Sequence, residues 1–228
     1  MSNPDAESDF FVTAAEKAYQ AIIQKIITGE LTPGTRLVRR PLAAMLGVSP
    51  IPVLEAMKRL EQDGLVEYRA QWGSIVTIPT VERVKDMFVL REAIECQVAR
   101  ILSVGVSAAQ AARLREVAEE LDRVRNDNED ASHAADYHYK FHMTMAEIAG
   151  FPSLVAGLRR ANFFWLLCRA VQSRQKHFAL PPDWHRRLVE TILAGDPEAA
   201  DKAMRNHIRD SFIPFMQDLG IEAVPPIV

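Results

Sequence analysis

The sequence predicts a mainly α-helical protein, with a small N-terminal unit that contains a β-hairpin and a C-terminal antiparallel all-α bundle of about six helices. Three observations predict this class. Two short amphipathic helical patterns surround Gly47, and two strand-like segments follow them directly. After Thr80 the chain shows only helical patterns, separated by helix stop signals and short connections. Short connections between consecutive helices indicate antiparallel packing.

The N-terminal unit begins with an amphipathic helix predicted over residues 14–28. A second helix has its apolar face on residues 42–46, and a third is predicted over residues 50–62. Ser49 is expected to be the N-cap of this third helix. Because proline lacks an N–H, the prolines of the first turn leave the N–H of Ile51 as the group that Ser49 is expected to cap.

A β-hairpin is predicted directly after the third helix. Residues 65–68 and 74–78 form short strand-like segments, and residues 69–73 between them are typical of a turn. Two helices around a tight turn, followed by a hairpin, are typical of a winged helix-turn-helix. In that fold the helix before the hairpin reads DNA bases, so residues 50–62 are the predicted recognition helix.

The same segments resemble the winged-helix domain of the GntR family of bacterial transcription regulators. The resemblance covers about residues 14–79 and depends on PGTRL, LAAMLGVS and PVLEAMKRLEQDGLV at fixed spacing, with a Gly-containing hairpin after them. It implies a homodimer that binds a double-stranded DNA operator and regulates transcription. The expected segments are a flexible arm (1–13), a winged helix-turn-helix DNA-binding domain (14–79), a helical effector- and metal-binding domain (80–222) and a tail (223–228).

Arginine is the side chain that most often reads guanine, and the family usually has arginine where this chain has Pro50 and Leu54. The absence of both donors leaves three alternatives: an unusual operator, reading by other basic residues, or weakened DNA binding. Arg40 matches a family position that contacts DNA, which makes it the first choice. The expected DNA-contact residues, including phosphate contacts, are Arg36, Arg39, Arg40, Ser49, Lys58, Arg59 and Arg69.

The C-terminal bundle has six predicted helices, near residues 81–104, 107–126, 131–149, 153–177, 182–194 and 197–219. Its two cysteines, Cys96 and Cys168, lie within helical patterns and lack the spacing of a metal site. We expect both to be buried, reduced thiols.

The overall composition is that of an ordinary globular protein, with 48% hydrophobic and 25% charged residues. The formal net charge of −3 does not by itself indicate nucleic-acid binding. No apolar run is long enough to cross a bilayer, and no charged-then-apolar leader opens the sequence. A cytoplasmic location without membrane contact is therefore expected.

Four histidines lie in three segments that resemble the C-terminal ligand-binding domain of the FadR-type GntR subgroup, called FCD. The segments are DYHYKFHMTMAEIAGFPSL, PPDWHRRLVETILAGDPEAA and AMRNHIRDS. In that domain three histidines and a fourth ligand, usually aspartate, bind one metal ion. The resemblance places His142, His185 and His207 at three ligand positions, and His138 at the fourth.

The sequence spacing of the histidines, taken without the family resemblance, is weaker evidence for a metal site. His138 and His142 share a helix face, but such an i,i+4 pair arises readily by chance. Four imidazole ligands favour a borderline metal ion over magnesium or calcium, so zinc is expected first and nickel second. His133 and His177 lack this support and are expected on the surface.

Arg91 matches an arginine in the first bundle helix of the same domain. There it implies a bidentate bond to the carboxylate of a small organic-acid effector. An ion pair at the surface or between domains is the alternative for Arg91, and the choice stays open at this point.

The leading hypothesis is a transcription regulator whose helical domain binds a metal ion and a small carboxylate effector that modulates operator binding. One alternative is a metal-dependent enzyme of the hydrolase type. The sequence lacks the HExxH, GxSxG and glycine-rich phosphate-binding motifs, so no catalytic residue is predicted. Another alternative is a ligand-binding dimer with weakened DNA reading.

Overall fold

Helices dominate the residues that the computed structural model describes, which are 13–127, 134–171 and 180–218. One two-stranded antiparallel sheet lies among these residues. The chain divides into two units at the peptide between Ile78 and Pro79, and each unit is described separately. The mainly α fold class is therefore confirmed.

The N-terminal unit contains three helices followed by the hairpin. These elements are α1 (Ala14–Ile27), α2 (Arg39–Leu46), α3 (Pro50–Gln62), β1 (Val66–Arg69) and β2 (Gly73–Val76). The strands pair in antiparallel register. Helices α1 and α3 pack against each other through fully buried side chains, which include Ile22, Ile26, Val53, Ala56 and Leu60.

The turn between α2 and α3 depends on Gly47. This residue is the C-cap of α2 and adopts the left-handed conformation (φ 66°, ψ 29°), which glycine tolerates without a Cβ clash. Ser49 is the N-cap residue of the next helix, as predicted, but the expected bond to the N–H of Ile51 is wrong, because Ser49 makes no side-chain cap hydrogen bond. Pro50 and Pro52 remove two N–H groups of the first turn, so α3 begins with fewer donors that need a cap.

The C-terminal unit is a bundle of helices. They are α4 (Val81–Val104), α5 (Ala108–Asn126), α6 (Ala134–Ala149), α7 (Pro152–Val171), α8 (Trp184–Leu193) and α9 (Pro197–Asp218). Helix α4 packs against α6, α7, α8 and α9, and α5 packs against α6 and α8. The core is apolar and includes Phe88, Val98, Leu102, Leu114, Leu121, Phe141, Met145, Leu158, Leu167, Leu188, Ile192, Met204 and Ile208.

Local sequence explains where two of these helices begin. Ser107 and Gln110 form a reciprocal capping box at the start of α5. Asp196 accepts hydrogen bonds from the N–H groups of Glu198 (2.9 Å) and Ala199 (3.2 Å), with Pro197 at the first position of α9.

Helix α8 begins two residues later than the sequence predicts. The carbonyl oxygens of Pro181 and Pro182 accept hydrogen bonds from the side chains of Arg125 and Asn126, both at the end of α5. These bonds fix the segment before α8 against α5.

Some predictions fall outside the described residues. They are the arm before residue 13, the tail over 223–228, the surface positions of His133 and His177, the 131–133, 172–177 and 219 ends of three predicted helices, and the surroundings of the Cys168 side chain. Cys96 is free and buried, as expected. In the part of the chain that is described, no helix is long and apolar enough to cross a membrane.

Candidate functional sites

The bundle brings together three of the four histidines that the sequence singled out. His138 and His142 lie one turn apart on α6, and His207 projects from α9. Their ligand atoms all lie within 4.8 Å of one another. His185, on α8, is not part of this trio, but its ring centroid is 5.1 Å from that of His207 and 5.8 Å from that of His138.

The spacing of two nitrogens suits a shared cation. His138 Nε2 and His142 Nε2 are 3.2 Å apart. Two nitrogens bound to one tetrahedral zinc ion at ~2.0–2.1 Å would be about 3.4 Å apart. Two neutral imidazoles can therefore occupy these positions with or without a cation between them.

Carboxylates lie against the outer nitrogens of two of the histidines. Glu95 Oε2 contacts Nδ1 of His142, and Asp122 Oδ1 lies 2.6 Å from Nδ1 of His185. A carboxylate at Nδ1 accepts the proton of that nitrogen and leaves the Nε2 lone pair for a metal ion. This arrangement resembles the outer coordination sphere of histidine metal sites.

Asp122 has a second role, because it caps α8 from α5. Its Oδ1 accepts a hydrogen bond from the backbone N–H of His185 (3.2 Å), and its Oδ2 accepts one from the N–H of Arg186 (3.0 Å). The helix has no side-chain cap bond from its own N-cap residue, Asp183. Asp122 therefore fixes both the start of α8 and the orientation of the His185 ring.

Burial keeps the imidazoles neutral. It lowers the pKa of His185 to about 4, against the opposing effect of Asp122. Burial first, and neighbouring imidazoles second, hold the pKa values of His138 and His207 well below the usual range. Burial also lowers the pKa of His142, although Glu95 opposes that shift. These shifts favour the uncharged form of all four rings, which is the form that binds metal ions.

The nitrogens on the inner side of the cluster have the character of metal ligands. His185 Nε2 and both ring nitrogens of His207 are buried and have no hydrogen-bond partner among the residues that the structure describes. Buried polar atoms are normally paired, so each such nitrogen needs an explanation. A metal ion would satisfy one lone pair on each ring, and the residues present therefore fit one.

Aromatic rings fix the histidines from the sides. Trp184 stacks on His207 with ring centroids 3.9 Å apart, and the fully buried Phe141 lies 5.0 Å from His142 and 5.2 Å from His185. Such packing restricts the ring orientations before any ligand binds.

Arg91, predicted to bind an effector, is buried and donates from Nε to Glu95 on the same helix. Burial opposes the charge on Glu95, but Arg91 and His142 outweigh it and lower the pKa of that carboxyl to about 2. Arg91 is thus linked to His142 through an ionised carboxylate. It also borders a small apolar cleft that contains Phe88, Phe164 and other side chains of α4, α7 and α9.

Five of the seven predicted DNA-contact residues are exposed and outside the ion pairs of the described residues, whereas Arg59 and Arg69 each pair with a carboxylate. Arg36, Arg39, Arg40, Ser49 and Lys58 are exposed, and within the described residues no carboxylate forms an ion pair with any of the four basic ones. Arg69 is exposed but pairs with Glu67 on the hairpin.

Arg59 differs from the others because it is only half-exposed and makes contacts with α1. Its guanidinium lies 2.5 Å from Glu16 and stacks 4.0 Å from the ring centre of Tyr19, both on α1. These contacts hold the side chain between α3 and α1, and its contact with DNA stays a prediction.

Two family models match the chain. One, described as bacterial regulatory proteins of the gntR family, matches residues 14–76, and the FCD domain model matches residues 86–210. The chain belongs to the GntR family. It is a DNA-binding transcription regulator of that family with an FCD domain, in agreement with the family resemblance noted in the sequence.

Relatives of this GntR regulator cover most of its length. A transcriptional regulator from an unstable DNA locus of Streptomyces ambofaciens is 30% identical over 85% of this chain and 81% of its own. The Escherichia coli repressor RspR is 24% identical over 86% of each chain. These relatives are described as transcriptional regulators, which agrees with the regulator hypothesis and not with the hydrolase alternative.

Solved structures support the fold. A GntR regulator from Rhodococcus superposes with a TM-score of 0.71 at 23% identity, over 92% of this chain and 99% of its own. Escherichia coli McbR/YncC gives a TM-score of 0.74 at 17% identity, over 91% and 99% of the two chains.

Sequence reasoning missed three residues beside the histidines: Glu95, Asp122 and Trp184. Asp122 gave a usable signal, because it is an acidic residue on the buried stripe of α5 with Leu114, Ala118 and Leu121. An acid at a core position is rare unless it is paired. Which histidine it pairs with could not be inferred from helical periodicity.

Proposed function

We propose that the helical unit of this GntR regulator binds one divalent metal ion through His138, His142, His185 and His207. The observation that carries the proposal is the meeting of four imidazoles from three helices, with buried nitrogens on His185 and His207 that lack a hydrogen-bond partner among the described residues. Zinc is the first choice and nickel the second, because both accept imidazole ligands readily.

Glu95 and Asp122 act as positioning residues in this proposal. Each holds the outer nitrogen of one histidine, so that Nε2 of His142 and of His185 is turned toward the cluster. Arg91 holds Glu95 in place. A direct contact between Arg91 and an effector remains a prediction, and such a contact would compete with Glu95.

The effector in this proposal is a small carboxylate, since a bound metal ion supplies a Lewis acid that attracts a carboxylate oxygen. The effector must bind one arrangement of the regulator more tightly than another to change its affinity for the operator. A 10-fold preference corresponds to about 1.4 kcal/mol of coupling. We propose that the regulator acts in the cytoplasm as a homodimer, which reads two operator half-sites by symmetry.

Metal content of the full-length protein tests the first part. We expect about one metal ion per chain by elemental analysis, and loss of that ion in His142→Ala. Glu147→Ala is a matched control, because Glu147 is exposed on the same helix and is also a metal-ligand residue type. Equal metal content in wild type and His142→Ala would contradict the proposal.

Operator binding tests the second part. Thermal-shift screening of small carboxylates against the metal-loaded protein should find a compound that raises the midpoint, because a ligand that binds only the folded form stabilises it. That compound should change operator affinity in a mobility-shift titration and lose its effect after chelation. If the compound changes operator affinity equally in the chelated protein, effector sensing does not depend on the metal ion.

A further inference from the structure

The recognition helix α3 presents an apolar surface where DNA bases are read. Val53, Ala56, Met57 and Leu60 are buried. At 100° per residue, the opposite side of the helix carries Ile51, Leu54, Glu55 and Lys58 within an arc of about 100°. Ile51 is 70% exposed and Leu54 is 36% exposed.

The first turn of this helix offers no side-chain hydrogen-bond donor beyond Ser49. The side chains of Pro50, Ile51 and Pro52 contain no polar atom. Residues at the start of a recognition helix contact base edges in the major groove. Bidentate recognition of guanine or adenine needs arginine, lysine, asparagine or glutamine at such positions. These four base-reading residue types are absent from the first turn.

One base edge matches an apolar side chain. Among the groups that the four bases present in the major groove, the C5-methyl of thymine is the apolar one. Burying an aliphatic side chain against it removes apolar surface from water on both sides. The exposed Ile51 and Leu54 have the chemistry for this contact and lie about one turn apart.

Basic residues around this surface favour DNA over an apolar protein partner. Arg39 and Arg40 are exposed in the first turn of α2, and Lys58 is exposed one turn after Leu54 on the same face of α3. Within the described residues none of these three cations is ion-paired. A polyanionic backbone complements cations that flank an apolar centre.

We propose that Ile51 and Leu54 recognise thymine by packing on its C5-methyl group. This inference depends on the DNA-binding function of the GntR family and assigns the base class that this chain reads. Glu55, on the same face, accepts hydrogen bonds only and suits the N4 amino group of a neighbouring cytosine. The half-site is therefore expected to contain thymine at the bases that face Ile51 and Leu54.

The test begins with selection of binding sites from a randomised DNA duplex pool by the full-length protein. The best duplex is then resynthesised with deoxyuridine in place of each thymine in turn, which removes only the methyl group. We expect about 3- to 10-fold weaker binding at one or two positions in each half-site. Leu54→Ala and Ile51→Ala should bind the thymine and deoxyuridine duplexes equally at those positions.

Two further substitutions in α3 test whether the deoxyuridine effect belongs to Ile51 and Leu54. Gln62→Ala changes an exposed residue near the end of α3 and should keep the deoxyuridine effect. Leu54→Arg should shift the selected base toward guanine, because the side chain regains a bidentate donor. Both positions 51 and 54 are exposed, so neither substitution removes core packing.

Two results would overturn the inference, and they are distinguishable. A selected duplex that binds equally well with thymine and deoxyuridine at every position rejects methyl reading but leaves sequence-specific DNA binding intact. A pool that yields no enriched sequence rejects both methyl reading and operator recognition by this chain.

Discussion

Asp122 and His185 lie 63 residues apart in the chain, on α5 and α8, yet the Asp122 carboxylate is 2.6 Å from Nδ1 of the imidazole. The same carboxylate accepts two backbone N–H bonds at the start of α8. One side chain therefore connects the stability of a helix to the orientation of a candidate metal ligand.

Replacing Asp122 by alanine should affect stability and metal affinity together. The lost cap is expected to lower the free energy of unfolding by about 1–2 kcal/mol. Metal affinity should fall about 10- to 100-fold, because His185 loses the group that orients its ring. Chemical denaturation of the chelated protein and metal titration measure the two effects. Glu119→Ala, an exposed acid one turn earlier on α5, should change neither.

Arg40→Ala should weaken operator binding and reduce the slope of log affinity against log salt by about 1, since one phosphate contact is lost. Arg59→Ala provides the contrast. It should leave the salt slope unchanged and lower stability, because Arg59 packs on Tyr19 and pairs with Glu16. Mobility-shift titrations at several salt concentrations measure the slopes. An unchanged slope in Arg40→Ala would exclude the phosphate contact.

Glu92 joins α4 to α9 by accepting hydrogen bonds from Arg205 and Arg209. Glu92→Ala should lower the free energy of unfolding by about 1–3 kcal/mol, because it removes the acceptor of the partly buried Arg209 and leaves Arg205 paired with Asp201. The exposed pair of Arg115 and Glu190 is the control, and Glu190→Ala should change stability by less than about 1 kcal/mol. Urea denaturation measures the free energy of unfolding of both variants. Equal losses in Glu92→Ala and Glu190→Ala would show that the partly buried Glu92 contacts stabilise the protein no more than an exposed ion pair.

Gly157 lies inside α7, and a Cβ at this position would come within 2.8 Å of Cδ1 of Ile94. Gly157→Ala would otherwise stabilise a helix interior by roughly 0.5–1 kcal/mol. We expect the contact to cancel or reverse that gain. In an Ile94→Val background, which lacks the Cδ1 atom, the alanine should be more favourable by about 1 kcal/mol. A double-mutant cycle by thermal or urea unfolding gives the coupling, and additive effects would refute the contact.

The Cys96 thiol should resist alkylation in the folded protein. It is buried, and burial raises its pKa to about 12, so the ionised thiolate is scarce at pH 8. The thiolate is the reactive form, and its fraction rises only as the pH approaches that value. Peptide-resolved mass spectrometry after iodoacetamide treatment should find Cys96 modified in urea but protected in buffer. Rapid labelling in buffer would contradict the buried position.

Local features of this protein follow from the sequence, because they depend on neighbouring residues. Gly47 ends α2 in the left-handed conformation, Asp196 and Pro197 start α9, and the hairpin follows α3 as its pattern predicts. The i,i+4 spacing of His138 and His142 places both rings on one face of α6. Ser49 is the N-cap of α3, as predicted, but its side chain does not make the predicted cap hydrogen bond.

Tertiary structure decided which side chains meet. Glu95 contacts His142 from another helix, Asp122 reaches His185 from 63 residues away, and Arg59 turns toward Tyr19 on α1. Periodicity assigns each residue to a face of its own helix, but it does not give the neighbouring helix or the rotation at which the two pack. The contacts of an ionisable side chain, and with them its pKa, therefore depend on the packed bundle and not on sequence spacing.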